Sequence, residues 1–149
     1  MRAVIQRVSR ASVTVDSKIT GTIQAGLLVL LGIHKDDSEK EIKWLTEKII
    51  TLRIFEDNEG KMNRSLIDTG GAMLIVSQFT LYGDCRKGRR PGYSTAALPN
   101  HAKILYHEFI DTIKNKGIKT ASGKFQAHMD VELVNDGPVT LLLDSSKLF

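Results

Sequence analysis

The chain has 149 residues, of which 42% are hydrophobic and 26% are charged, and its formal net charge at neutral pH is +4. These values are typical of one globular domain, here residues 1–149, that buries its own core. No apolar run approaches the ~20 residues of a membrane-spanning helix, and Met1–Arg10 does not resemble a signal peptide. We therefore expect a cytoplasmic protein without a membrane partner. The single cysteine, Cys85, excludes an internal disulfide, and the positive charge favours polyanionic partners.

The first third of the chain is rich in short segments of strand-forming residues. Val and Ile dominate Ala3–Val8 and Ala11–Val15, which predict two short strands broken around Ser9. A turn then leads into Ile19–Ile23, which completes a predicted hairpin. The run Gly26–Ile33 is apolar throughout, as expected of a strand that is covered on both faces.

Two segments have the periodicity of amphipathic helices. The first is predicted at about Ser38–Thr51, because Ser38 and Glu41 have capping-box spacing before an apolar stripe. The second is predicted at about Asn100–Lys116. Its expected buried residues are Ala102, Leu105, Tyr106, Phe109, Ile110 and Ile113. Those of the first helix are Ile42, Leu45, Ile49 and Leu52.

Between these helices lie a second apolar strand and a basic loop. Arg53–Glu56 is a candidate short strand, and Ala72–Val76 predicts a buried strand that runs directly into Ser77–Leu81. The glycine-containing segment Tyr82–Leu98 predicts a long structured loop. Its cations Arg86, Lys87, Arg89 and Arg90 are either a solvated surface or contacts for phosphate groups.

The last part of the chain combines two strand-like runs with an unusual connection. Residues Phe125–Leu133 alternate between apolar and polar, and Val139–Leu143 is a second apolar run. Asn135-Asp136-Gly137 would serve as a hairpin turn. Pro138 cannot donate a ladder hydrogen bond and belongs at an edge, a strand start or a bulge. The segment is therefore either a turn with a trans proline that starts a strand, or a rigid backbone wedge. The whole pattern predicts one α+β domain with many strands and two amphipathic helices packed on them.

Several kinds of chemistry have no support in the sequence. The histidines have no metal-binding spacing, and no glycine-rich phosphate-binding motif is present, so we predict neither a metal nor a cofactor. Ser77 lacks the glycines of a nucleophile elbow. A serine or threonine nucleophile at Ser77 or Thr80 would need a nearby base, and no histidine is close in sequence. A histidine that is close in space stays open.

Two short segments closely resemble the signature motifs of the D-aminoacyl-tRNA deacylases. These are V-S-Q-F-T-L at Val76–Leu81 and N-D-G-P-V-T at Asn135–Thr140. The resemblance continues at Met1–Val8, at Asn63–Gly71 and in the basic R-K-G-R-R-P loop, so that it covers nearly the whole chain. Either motif alone is a weak signal, whereas both in this order at this length are specific.

This resemblance implies a homodimer of β-barrel-like, antiparallel-rich protomers with active sites at the interface, an aminoacyl-tRNA substrate and no other protein partner. It implies a cis peptide bond at Gly137-Pro138, inserted from one subunit into the pocket of the other, with Arg7 supporting the orientation of this segment. The predicted catalytic residues, which line the pocket for the terminal adenosine and the ester carbonyl, are Ser77, Gln78, Phe79 and Thr80. The other predicted substrate-binding residues are Phe125 and Met129. Arg86, Lys87, Arg89 and Arg90 are expected to bind tRNA.

The chain departs from the family pattern at two places. Gln126 stands where the family usually has glycine in an F-G-A segment, and Gly92-Tyr93 replaces a more usual Ser-Phe. Both departures concern the adenosine pocket and the basic loop, and they leave the two signature motifs intact.

The function that this resemblance implies is hydrolysis of the ester bond of D-aminoacyl-tRNA, and also of glycyl-tRNA, with rejection of L-aminoacyl-tRNA by the Gly137-Pro138 wedge. We expect backbone N–H groups of Phe79 and Thr80 to form an oxyanion hole, with Gln78 helping to hold the carbonyl. The rival mechanism has Thr80 as a covalent nucleophile. The rival functions are a non-catalytic nucleic-acid-binding protein on the same fold and a generic esterase indifferent to tRNA.

Overall fold

Two long antiparallel strands, β1 (Arg2–Val15) and β8 (Asp130–Asp144), lie side by side along most of their length. A computed structural model describes residues 1–148. The other strands are β2 (Lys18–Ile23), β3 (Gly26–Gly32), β4 (Phe55–Glu56), β5 (Met62–Arg64), β6 (Ala72–Ser77) and β7 (Lys119–Ser122). The helices are α1 (Glu39–Thr51), α2 (Leu66–Thr69) and α3 (Pro99–Asn115), together with a 3-10 helix at Phe79–Tyr82.

The main sheet has the order β2-β1-β3-β6-β7 and curls into a nearly closed barrel. The pairs β3–β6 and β6–β7 are parallel, whereas β1 pairs antiparallel with β2, β3 and β8. The two end strands of this order, β2 and β7, approach each other at Gly21, where a Cβ atom would lie only 2.6 Å from the Ser122 carbonyl oxygen. Glycine therefore permits this approach of β2 to β7. The predicted α+β, barrel-like fold is confirmed.

Helices α1 and α3 pack their apolar stripes on one side of the sheet. In α1 the predicted cap forms, since the Glu41 carboxylate accepts hydrogen bonds from the Ser38 backbone N–H at 2.8 Å and from its hydroxyl at 2.7 Å. The shared core includes Ile42, Leu45, Ile49, Leu105, Tyr106, Phe109 and Ile113, all of them buried. No helix in the described part of the chain is long and apolar enough to cross a membrane.

The sequence predicted two separate strands where the structure has the single strand β1, and two more where it has the single strand β8. Both of these predictions are wrong. The pairs Val8–Asn135 and Gln6–Thr140 bracket a register shift, so that Asp136–Val139 faces only Arg7 on the other strand. Asn135, Asp136 and Gly137 do not form a hairpin turn, because both halves of β8 pair with the same neighbour. Asp136–Val139 is instead a bulge within one 15-residue strand, and we call it the β8 bulge.

The predicted strand at Phe125–Leu133 is also only partly present. The pairing of β8 begins at Asp130, whereas the preceding residues form a turn in which the Ala127 N–H donates to the Lys124 carbonyl at 3.2 Å. The alternation of burial is nevertheless real: Phe125, Ala127 and Met129 are half-buried, and the polar residues between them are exposed. Here the period of two reflects which side chains face the protein, without ladder hydrogen bonds.

Candidate active site

A cavity of about 650 Å³ opens beside the end of β6. One wall is Val76–Phe79, which leaves the strand and enters the 3-10 helix, and a second is the loop segment after Tyr93. The turn at Phe125–Met129 forms the third wall. The cavity thus brings together Ser77, Gln78 and Phe79 with Phe125 and Met129, five of the predicted site residues.

In the turn at the end of β6, one backbone N–H group is hydrogen-bonded to the sheet and the next two have no partner among the described residues. The Gln78 N–H donates to the Leu31 carbonyl at 2.8 Å, which fixes the turn to β3. The next two N–H groups, those of Phe79 and Thr80, begin the 3-10 helix and have no hydrogen-bond partner within residues 1–148. The Gln78 side-chain amide donates to the Thr80 hydroxyl, so this hydroxyl is held beside the same turn.

Phe79 is anchored from outside the turn by an aromatic contact. Its side chain is 56% exposed at the cavity, and its ring meets that of Tyr93 edge-to-face, with centroids 5.0 Å apart. The ring of Tyr93 also covers Gly83, where a Cβ atom would lie 3.2 Å from Tyr93 Cε1. Tyr93 therefore links the basic loop to the turn that carries the free N–H groups.

The basic loop is a small hairpin with its cations at the tip. Asp84 and Gly92 pair in both directions, with N–O distances of 2.8 and 3.0 Å. Arg86, Lys87, Arg89 and Arg90 lie between these two residues and are all exposed. Arg86 forms a bidentate ion pair with Asp84, at 2.9 and 2.7 Å, which lowers the pKa of Asp84 to about 2. The charge of Arg86 is thus offset within the loop, whereas Lys87, Arg89 and Arg90 have no ion pair in the described part of the chain.

The β8 bulge is supported from below by a buried arginine. Arg7 is only 4% exposed, and its guanidinium donates to the Ile54 carbonyl at 2.7 Å and to the Asp136 carbonyl at 3.2 Å. Asn135 closes the base of the bulge by donating to the carbonyls of Arg7 and Val139, at 2.9 and 3.0 Å. The Gly137-Pro138 peptide bond is cis, as the resemblance implies, and both residues are exposed.

The two signature motifs do not meet within one chain. Gly137, Pro138 and Arg7 are absent from the cavity lining, which holds Ser77–Phe79. The predicted substrate-binding residues therefore divide into two groups: Phe125 and Met129 in the cavity, and the bulge with its supporting arginine outside it.

Some cavity residues were not predicted from the sequence. His128 lines the same cavity as Ser77, although no histidine is close to Ser77 in sequence, and its ring lies 3.8 Å from the Asp130 carboxylate. Outside the cavity lining, Tyr106, which was predicted in the buried stripe of the second helix, donates to the Ile75 carbonyl at 2.8 Å, and burial raises the pKa of Tyr106 to about 12. Within residues 1–148, no group of three or more His, Cys, Asp or Glu side chains is placed to hold a metal ion.

Comparisons with known proteins agree with the motifs. The sequence model of the family described as D-Tyr-tRNA(Tyr) deacylase matches residues 4–144. The D-aminoacyl-tRNA deacylase of Desulfotalea psychrophila is 66% identical over 149 residues, and that of Thermosipho africanus is 64% identical, each with 100% of both chains covered. A solved structure of the c-Myc DNA unwinding element binding protein has a TM-score of 0.91 at 41% identity, covering 97% of this chain and 98% of that chain. The chain therefore belongs to the D-Tyr-tRNA(Tyr) deacylase family, a family of hydrolases that act on the ester bond of aminoacyl-tRNA.

Proposed function

We propose that this protein hydrolyses D-aminoacyl-tRNA with backbone groups as its main catalytic donors. The observation that carries the proposal is the pair of free N–H groups at Phe79 and Thr80, at the edge of a cavity large enough for a nucleoside. Water attacks the ester carbonyl carbon, and the two N–H groups stabilise the oxyanion that forms on the carbonyl oxygen. Collapse of this intermediate breaks the bond to the ribose oxygen, which takes a proton and leaves as the tRNA hydroxyl.

An aminoacyl ester is labile enough that a full catalytic triad is not needed. The neighbouring ribose hydroxyl of the terminal adenosine positions or activates the attacking water. Thr80 is a poor candidate for a covalent nucleophile, because its hydroxyl accepts from Gln78 and no base contacts it among residues 1–148. His128 lines the cavity, but its side chain is 96% exposed and lies beside Asp130, which does not favour a role as that base.

The β8 bulge of a second copy of the chain distinguishes the D from the L enantiomer of the substrate. Gly137 and Pro138 are exposed and lie outside their own cavity, and within residues 1–148 β8 pairs only with β1, so that its outer edge is free. In the homodimer the Gly137 carbonyl accepts from the α-ammonium, and the Pro138 ring fills the space that an L side chain would need. Rejection by steric conflict suits an enzyme that must accept many side chains. We place this reaction in the cytoplasm.

The purified protein is expected to release tyrosine from D-tyrosyl-tRNA and to leave L-tyrosyl-tRNA intact over the same time. Glycyl-tRNA should also be cleaved, because glycine has no side chain to meet the Pro138 ring. The measurement is the loss of labelled amino acid from the three substrates at equal enzyme concentration.

Each outcome separates a different part of the proposal. Survival of glycyl-tRNA at enzyme levels that clear D-tyrosyl-tRNA would overturn the steric wedge. Equal loss of an amino acid ester without tRNA would favour a generic esterase. If no substrate is cleaved and nucleic acid is still bound tightly, the protein is a binding module, an alternative suggested by the name of the DNA unwinding element binding protein.

Neutralising two cations of the basic hairpin is expected to weaken tRNA binding and its dependence on salt. An Arg89→Gln, Arg90→Gln double variant should flatten the slope of log K against log salt by about 0.7–0.9 for each phosphate that is no longer neutralised. Arg86→Gln is the matched control: because Arg86 is paired with Asp84, its replacement should change the slope less. The measurement is binding of uncharged tRNA across a salt series. An unchanged slope in the double variant would assign these arginines to an ordinary solvated surface.

A further inference from the structure

Gln126 has a backbone conformation that side chains rarely adopt, at a position that lines the cavity. Its φ angle is +62°, in the left-handed region where the Cβ atom crowds the following carbonyl oxygen. The other non-glycine residues with positive φ among those described, Asp16, Ser17 and Lys147, do not line this cavity. Strained backbone conformations of this kind cluster at functional sites, so the conformation of Gln126 favours a role for its side chain in the cavity.

The Gln126 carboxamide is one of two carboxamides that line the cavity in the described part of the chain. Most of the lining is apolar, and the amide of Gln78 already donates to Thr80. The side chain of Gln126 is exposed and has no hydrogen-bond partner within residues 1–148. Of the two carboxamides that line the cavity, that of Gln78 already donates to the Thr80 hydroxyl, whereas both the amide donors and the carbonyl acceptor of Gln126 are unpartnered within residues 1–148.

We propose that Gln126 is a specificity-determining residue that reads the base edge of the substrate's terminal adenosine. This inference rests on the function proposed above, which places the ester at Phe79 and Thr80 and therefore sends the attached nucleoside into the same cavity. Adenine presents the N7 acceptor and the N6 amino donor on one edge, and a glutamine amide matches both. Gln126 Nε2 donates to N7, and Oε1 accepts from the N6 amino group, while Phe125 and Met129 supply apolar contacts to the ring.

The test is a cycle of two enzymes and two substrates. D-tyrosyl-tRNA ends either in adenosine or in 7-deazaadenosine, which lacks the N7 acceptor, and the enzymes are the wild type and Gln126→Gly. In the wild type the deaza substrate should raise KM about fivefold, the effect of removing one hydrogen bond to the base. Gln126→Gly should raise KM for the adenosine substrate about tenfold and should show no further effect of the deaza substitution. The value of kcat should stay within about twofold, because the oxyanion donors are unchanged.

Ser17→Gly is the matched control. Ser17 also has φ +62° and is exposed, but it lies in the β1–β2 turn, so glycine there relieves the same backbone conformation without altering the cavity. This variant should keep both the wild-type KM and the fivefold deaza effect. An equal deaza effect in the wild type and in Gln126→Gly would overturn this inference alone. Absence of hydrolysis by the wild type on the adenosine substrate would overturn the proposed function and this inference with it.

Discussion

Replacement of Gly137 by alanine is expected to lower kcat/KM for D-tyrosyl-tRNA by about 100-fold, the order of effect that follows a misplacement of about 1 Å. The ratio of the D to the L hydrolysis rate should fall as well. A shift of the Pro138 ring by about the size of one methylene group should lower this ratio by about tenfold or more. An added Cβ would lie 2.8 Å from Val139 Cγ2 and 3.0 Å from Arg7 Nη2, and Gly137 has φ +126°. Neither neighbour yields easily, because Val139 is buried and Arg7 is held by the Ile54 carbonyl. The β8 bulge must therefore move.

Gly60→Ala is the control for the backbone effect of this substitution. Gly60 has φ +75°, and no atom lies within 4 Å of the place that a Cβ atom would take, so alanine there adds backbone strain without a steric conflict. It should leave both the rate and the D-to-L ratio near their wild-type values. The measurement is single-turnover hydrolysis of both enantiomers, with thermal unfolding measured for each variant. A Gly137→Ala enzyme with the wild-type rate and ratio would show that the bulge does not govern chirality.

At Thr80, removing the backbone N–H is expected to matter far more than removing the side chain. Thr80→Pro should lower kcat by about 100- to 1000-fold, as removal of one oxyanion donor does. Thr80→Ala keeps the N–H and removes the hydroxyl that accepts from Gln78 together with the side-chain methyl group, so it should retain activity within about tenfold of the wild type. Proline is tolerated near the start of a helix, and the Thr80 N–H has no partner to lose among the described residues. The measurement is single-turnover kinetics at saturating enzyme.

Two further measurements separate catalysis from folding and assembly. Binding of a non-hydrolysable D-aminoacyl amide analogue should persist in Thr80→Pro if only the oxyanion donor is removed. Mixing the impaired Gly137→Ala and Thr80→Pro chains in equal amounts should restore roughly a quarter of the wild-type activity. Half of the dimers then contain one chain of each kind, and in each of these dimers one of the two sites has both motifs intact. Loss of all activity in Thr80→Ala would instead support a covalent nucleophile. Failure of the mixed chains to recover activity would show that the two motifs do not act across a dimer.

The parts of the fold that depend on local pattern could be predicted from the sequence. Helix periodicity and the Ser38–Glu41 cap placed α1 within one residue of its observed start. The apolar runs identified β3 and β6, because strands covered on both faces carry no polar residues. The cavity residues at Ser77–Phe79 were identified through the motif that they form.

The parts that depend on contacts between distant residues required the tertiary structure. Alternation around Asn135–Pro138 suits two strands and a turn, and only pairing of the whole segment with β1 makes it a bulge, with Arg7 beneath it 129 residues away in the chain from Asp136. Side-chain burial alternates at Phe125–Met129 whether or not a ladder forms, so the period alone could not distinguish a turn from a strand. The local pattern thus determined the helices, the buried strands and the motifs. Packing decided that the Ser77–Phe79 turn lies at the cavity while Gly137 and Pro138 lie outside its lining, because each position is set by partners that no short window of sequence contains.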